Sequence, residues 1–397
     1  MKREAFNPDL IPDRRDERLS AFDVPMGVGR VLFRQSTRTL VCREHPTIPI
    51  MGHMPAESTK GVHPPWEAGD ASSPQILVVM YHYVREPESG HPCSGGFHPG
   101  IHALSPSEFE RQLDQLSAVM EPIDWPTLYA WTCGRRTIPE RSFLLTFDDG
   151  LADHAETVLP ILQDRGLRGV FFVPGSILSE HRMLSAHAVH LLMSILGGDA
   201  LGEEVHRCLH GRGFGDAMLS ESEAVAADAM YHYEEQAVGR LKYLLTMKLR
   251  TEVRSAMLDE LFEQHVGSSA RWARHWYLGW DDLIHMQSLG HTIGGHGYQH
   301  EPYERLTPSH IQRDIRQAAA ILREGLGPEV RPFSYPFGSI TPQVGEFCTA
   351  ADFVHGFTTR RAWLRSESDP TRFPRFDTIA VDAALEKEMG CRPTCST

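Results

Sequence analysis

The stretch FLLTFDDGLADH, residues 143–154, drives an apolar run straight into two adjacent aspartates and a glycine. Phe143 to Phe147 is short, apolar and β-capable, which predicts a strand covered on both faces, as in a parallel sheet. Such a strand ends in a turn, and Gly150 supplies a free backbone dihedral for it. Two neighbouring carboxylates repel and are costly to desolvate. Asp148 and Asp149 therefore either lie in a solvated turn or share a cation, and the triplet alone does not choose between the two.

The rhythm around this strand points to α/β architecture. QILVVMYHYV (75–84) predicts a strand, and SPSEFERQLDQLSAVM (105–120) a helix with Ser105 as N-cap, Pro106 in its first turn and Glu108 closing a capping box. After FLLTFDDG come a helix, DHAETVLPILQDRG, ending at Gly166, and the strand RGVFFVPGS. Strands alternating with helices imply a parallel sheet. The alternation stops near Ser179. Residues 180–277 carry helical segments such as AHAVHLLMSILGG, EEQAVGRLKYLLTMKLR and VRSAMLDELFEQHVG, and predict an α-helical insertion. The rhythm then returns with the helix WDDLIHMQSLG, the strand HTIGGHGY, the helix TPSHIQRDIRQAAAILREGLG and the strands RPFSYPFG, FVHGFTTR and FPRFDTIAVD. About seven core strands suit a closed or nearly closed barrel better than a small open sheet. The expected organisation is an arm or linker region over 1–74, a barrel domain over 75–382 interrupted by the 180–277 insertion, and a tail over 383–397. The arm contains one candidate hairpin, GRVLFRQSTRTLVCRE.

Composition narrows the function classes. The chain has 397 residues, 41% apolar and 23% charged, and a formal net charge of -13; its mean hydropathy is -0.31. These are the values of a globular protein. The acidic balance disfavours nucleic acid and anionic membrane as partners, because both require a basic footprint. The opening MKREAFNPDLIPDRRDERLSAF lacks the apolar core of a signal peptide, and no run reaches membrane-span length, so a cytoplasmic protein is expected. Seven cysteines, an odd number in a long chain, form no dense disulfide framework. Reduced thiols are the default, and the terminal CRPTC lacks the second ligand pair a structural zinc would need.

A second chemical cluster is GGHGYQHEP, in which His296 and His300 stand four residues apart at a strand end. Two histidines and a carboxylate form a common divalent-metal set that leaves a position open for water, although two histidines in a polar loop have the same spacing. A third is RPFSYPFGS, residues 331–339, in which Arg331 opens an apolar strand that ends in Pro-Phe-Gly. Alone it reads as a strand and turn. In a parallel barrel, however, the C-terminal strand ends share one face, so Asp148, Asp149, His296, His300 and the Pro336 to Gly338 turn can converge. His187 and His190, on an otherwise apolar helix, read as core residues. Trp125, Trp131, Trp276 and Trp280 could offer sugar-stacking surface, but aromatic residues at such positions are more often core.

TFDDG, HGYQH and RPFSYPFGS, in that order, resemble the first three motifs of the polysaccharide deacetylases, the NodB-homology domain of carbohydrate esterase family 4. VVMYHYV and LSPSEFERQLDQL are similar to the start of that domain. The resemblance covers residues 75–180 and 278 to about 382 and implies an α/β fold, a distorted (β/α)7 barrel of the polysaccharide deacetylase type with an α-helical insertion. It further implies metal-dependent hydrolysis of an N-acetyl or related acyl amide. By position, Asp149, His296 and His300 match the metal ligands and Asp148 the general base, with Arg331 holding Asp148 and the backbone at Phe337 meeting the oxyanion. Three departures stand out. Gly297 follows the first histidine where Ser or Thr is usual, Phe337 replaces the commoner Tyr, and the late Leu-x-His motif that provides a general acid is absent from FPRFDT. His82 and His355 are the candidates for that acid.

The function expected is a zinc-dependent deacylase, with cobalt, iron, manganese or nickel also compatible. Its substrate would be an N-acylated sugar or glycosylated small molecule. The insertion could serve as a lid or as the surface of a homo-oligomer. The rival expectations are a deformylase or other small-molecule amide or imide hydrolase on the same site, and a metal-binding module without turnover.

Overall fold

The structure is a computed structural model that describes residues 74–86, 97–98, 101–214, 218–231 and 234–389. The candidate hairpin of the arm and the CRPTC tail fall outside the described residues. Seven strands form one path: β1 Gln75–Tyr81, β2 Arg141–Phe147, β3 Gly169–Val173, β4 Thr292–Gly295, β5 Arg331–Ser334, β6 Phe353–Phe357 and β7 Phe376–Asp377. Their spatial order is β7-β1-β2-β3-β4-β5-β6, with every neighbour parallel, and Glu121–Pro122 adds a short pairing to β2. The two ends of the path approach each other without pairing as strands. They are tied by a single bridge, Phe357 to Phe373, and by the bonds Thr358 N–H to Phe373 O (2.9 Å) and Arg375 N–H to Arg360 O (3.0 Å). The result is the expected distorted barrel, a curled parallel sheet with a seam between β6 and β7.

Period-two alternation divides the strand residues between two cores. Ile76, Val78, Leu144, Val170, Phe172 and Phe357 turn to the smaller, inner cluster. Leu77, Val79, Phe143, Leu145, Phe147 and Phe171 turn to the larger one beneath the helices. Because both faces are covered, the strands read as continuous apolar runs, and residues on the parity of Leu144, namely Thr146 and then Asp148, continue along the inner face.

The helix α1, Pro106–Val119, begins with the expected capping box: Ser105 Oγ accepts from Glu108 N–H and the Glu108 carboxylate accepts from Ser105 N–H. Among the described residues no strand lies between β3 and β4. That interval holds helices including α2 Ser185–Leu196, α3 Thr251–His265 and α4 Ser269–Trp276. Two local expectations change. The helix expected after Asp153 starts as a π turn over His154–Val158 and becomes α-helical only over Leu159–Asp164, because Pro160 has no N–H to close an ordinary turn. The strand expected over FPRFDTIAVD is limited to Phe376–Asp377. The Asp377 carboxylate accepts the Ile379 N–H at 3.1 Å and turns the chain into a helix at Val381–Met389.

Candidate metal centre

Three strand ends build the site. After β2 the backbone swings through left-handed conformations at Asp149 (φ 77°) and Gly150 (φ 62°). After β4, His296 is pinned by its N–H to Val173 O (3.2 Å), and the chain turns at Gly297 (φ 67°) and His300 (φ 56°). After β5, Pro336–Gly338 forms a tight turn with Phe337 at φ 58°. Non-glycine residues in this region are strained, and such residues concentrate at functional sites.

Asp149, His296 and His300 are all buried, and one ligand atom from each lies within 4.8 Å of the others. The geometry fits a cation. The His296 Nδ1 atom lies 2.7 Å from the Ser334 carbonyl, an acceptor, so Nδ1 carries a proton and Nε2 is the atom whose lone pair a bound ion would take. That lone pair faces Asp149 Oδ1 at 3.3 Å, and His300 Nε2 faces the same oxygen at 3.1 Å. Asp149 Oδ1 itself is buried without a hydrogen bond. With the Nε2 atoms of both rings unprotonated, a carboxylate oxygen between two imidazole nitrogens is an acceptor cluster that one divalent ion would satisfy. The backbone carbonyl on Nδ1 is the outer partner that metal-ligating histidines commonly have.

Asp148 lies beside this cluster, its Oδ2 3.9 Å from His296 Nε2. Arg375 grips it with two parallel bonds, Nη1 to Oδ1 and Nη2 to Oδ2, each 2.7 Å, and Ser334 Oγ donates to Oδ2 at 3.1 Å. The Arg375 side chain is fully buried and also donates to Thr358 O, Thr146 Oγ1 and Ser334 Oγ. Burial alone would raise the Asp148 pKa, but the Arg375 guanidinium, joined by the nearby His296 and His82, outweighs it and lowers the carboxyl to about 2.

This pair corrects the expectation for Arg331. Arg331 opens β5, so it sits roughly 10 Å upstream of the strand end that carries Ser334. Its guanidinium instead donates to the carbonyls of Ile293, Leu326 and Gly327. The residue that holds Asp148 is Arg375, in the FPRFDT segment; a charged residue flanked by Phe373 and Phe376 was the available signal, since a buried Arg demands a carboxylate. His355 is likewise removed from the site. It is buried on β6 against Trp125, Tyr129 and Phe373, with Nε2 2.9 Å from Thr132 Oγ1, and burial lowers its pKa to about 4.

A cavity of about 330 Å³ opens on the cluster. Its sheet side includes His82, Asp148, Asp149, His296, His300 and Phe337. His82 therefore lines the cavity and His355 does not. The Phe337 ring lies 4.9 Å from that of His300. The helical side includes His187, His190, Glu234 and Lys242, the last two forming a buried ion pair. His187 does more than fill the core, contrary to the sequence reading: its Nε2 is 3.0 Å from Asp149 Oδ2 and its Nδ1 2.7 Å from the Tyr277 hydroxyl. No spacing rule could link residues 38 and 90 positions away. Trp125, Trp131, Trp276 and Trp280 do not line the cavity, and Trp276 is fully buried. The described cysteines, Cys133, Cys208 and Cys348, are free thiols.

The fold and site together define a hydrolase class built on a parallel barrel with a buried Asp-His-His centre. The polysaccharide deacetylase family model matches residues 135–207 and 256–354, which include Asp148, Asp149, His296, His300 and His187. Over these residues the chain resembles the polysaccharide deacetylase family. No curated protein matches it. Similar solved structures include IcaB from Ammonifex degensii, at 17% identity and TM-score 0.47 over 79% of this chain and 97% of that one. Another is the Streptococcus pyogenes deacetylase PplD in complex with acetate, at 12% identity and TM-score 0.47 over 79% of this chain and 98% of that one. A third is a de-N-acetylase from Aggregatibacter actinomycetemcomitans, at 13% identity and TM-score 0.46 over 76% and 94% of the two chains.

Proposed function

We propose that this protein is a metal-dependent deacylase that removes an N-acetyl or related acyl group from a single amino-sugar unit or a sugar-bearing small molecule in the cytoplasm. The observation that carries the reading is the orphaned Asp149 Oδ1 between two imidazole nitrogens, with an ionised carboxylate, Asp148, alongside. A divalent ion held by Asp149, His296 and His300, zinc being the first choice, would supply Lewis acidity and a water of lowered pKa.

The chain's own residues account for the rest. Asp148 Oδ1 has one bond to Arg375, which leaves it a lone pair to receive the proton of the attacking water. Arg375 and Ser334 fix the plane of that carboxylate. The turn at Phe337 lies beside His300, where a backbone N–H can meet the developing oxyanion. His82 lines the same cavity and is the candidate to protonate the departing amine. The cavity, walled by helices on one side, supports a small substrate over a long polymer, because its volume lies at the low end of ordinary ligand sites.

The test is a panel of N-acetyl sugars, nucleotide sugars, N-formyl compounds and acetylated polymer, incubated with metal-loaded wild type and Asp148→Asn and followed by mass spectrometry. Acyl loss from a small sugar, with wild type only, is expected. Polymer deacetylated as fast as monomer would overturn the small-substrate reading, and bound metal with no turnover on any acyl amide would overturn the deacylase reading.

A further inference from the structure

We propose that His187 and Tyr277 form a positioning relay for the metal-binding carboxylate, which makes the helical segment between β3 and β4 a working part of the metal centre. The inference rests on the metal reading of Asp149, His296 and His300.

The relay begins in the backbone. The end of α4 is joined to the Asp-Asp-Gly turn by a bridge between Leu151 and Tyr277 and by two flanking bonds, Ala152 N–H to Trp276 O (2.9 Å) and Leu278 N–H to Gly150 O (2.8 Å). This places Tyr277 at a fixed height beside Asp149. The Tyr277 hydroxyl accepts the Leu184 N–H at 3.0 Å, immediately before α2 begins, and lies 2.7 Å from His187 Nδ1. His187, 1% exposed, reaches Asp149 Oδ2 with its Nε2 at 3.0 Å.

Only one direction of bonding satisfies every atom. An ionised carboxylate can only accept, so His187 Nε2 carries the hydrogen and donates it to Oδ2. Its Nδ1 is then an acceptor, and the Tyr277 hydroxyl, having accepted from Leu184, donates its single proton there. The order Leu184 N–H, Tyr277 O–H, His187 N–H, Asp149 Oδ2 leaves no polar atom of the relay unmatched. Because Oδ2 is taken, Asp149 presents only Oδ1 to His296 and His300, and the carboxylate cannot rotate to offer both oxygens. Outer hydrogen bonds of this kind orient metal ligands.

A merely structural contact would fasten α2 to the sheet and change stability without changing metal affinity. Zinc affinity separates the two, measured on folded apo-protein by competition with a chromogenic chelator, with circular dichroism checking the fold. His187→Leu is expected to weaken Zn²⁺ binding roughly 10- to 100-fold, the usual loss for an outer-shell partner. Tyr277→Phe should fall between it and wild type. His187→Gln, whose amide can donate to Oδ2, should recover most of the affinity. Folded His187→Leu and Tyr277→Phe proteins that bind Zn²⁺ like wild type would overturn the relay. If His187→Leu does not fold, Tyr277→Phe, which keeps the buried ring, decides alone. Wild type that binds no Zn²⁺ would overturn the metal reading itself and the relay with it, a result distinct from equal binding by wild type and variants.

Discussion

At the scale of single residues, Asp148 and Arg375 form a buried, doubly hydrogen-bonded ion pair beside the candidate metal site. Both side chains are buried, so removing one leaves an uncompensated charge in a low-dielectric site. Arg375→Met is expected to cost about 3–5 kcal/mol of stability, read by urea denaturation, and to raise the Asp148 pKa. The pair also sets a pH dependence whose sign follows from linkage. The folded pKa of about 2 lies below the unfolded value of about 3.9, so the pair's contribution is complete above pH ~4 and is lost as pH falls through about 2. Wild type should therefore lose stability in that acid window more steeply than Asp148→Asn, which has no such carboxyl to titrate; parallel curves in acid denaturation would contradict this. His82→Gln should lower kcat and leave Zn²⁺ affinity unchanged, since His82 lines the cavity outside the three-ligand cluster. A full-rate His82→Gln enzyme would remove it as the acid.

At the scale of elements, the turn between β4 and the next helix, Pro308–Leu326, determines where His300 points. Asp314 on that helix accepts from the N–H groups of Tyr298 and Gln299, both at 2.8 Å, and from the Tyr303 hydroxyl at 2.9 Å. These bonds occupy the space beside Gly297, where a Cβ would stand 2.8 Å from Asp314 Oδ2 and 3.0 Å from the Tyr303 hydroxyl. The missing serine or threonine at 297 thus has a physical reason: this chain stabilises the turn from the helix side. Restoring the usual residue as Gly297→Ser should destabilise, by about 1–2 kcal/mol from the left-handed backbone alone, and should weaken zinc retention. Thermal melts with and without Zn²⁺ measure both effects, and a stabilised variant would contradict the packing argument.

At the scale of the molecule, the candidate site joins elements distant in the chain, so metal binding there would be coupled to the fold. A ligand that binds only the native state stabilises it by about 2.7 kcal/mol at a free concentration a hundredfold above its Kd. Zn²⁺ should raise the melting temperature of wild type and leave that of Asp149→Ala unchanged in a fluorimetric melt. The rise should shrink as pH falls, because protons compete for the imidazole ligands. No helix among the described residues is long and apolar enough to cross a membrane.

The strand ends Phe147, Gly295 and Ser334 were legible as local pattern, and with them the parallel sheet and the convergence of Asp149, His296 and His300 at one rim. Local order was enough because parallel strands put their C-termini on one side, whatever their detailed packing. The contacts that Arg375, His187 and Tyr277 make with the site were not legible. Each meets the site across a gap in the chain that only packing closes: Arg375 through the seam between β6 and β7, His187 and Tyr277 through the return of the helical segment onto the Asp-Asp-Gly turn. Arg331 and His355 failed for the complementary reason, since having the right residue type near a motif says nothing about which end or face of a strand carries it. The candidate ligand set is a property of the sequence; the groups that orient and charge it belong to the tertiary structure, because buried hydrogen bonds depend on distance in space rather than spacing along the chain.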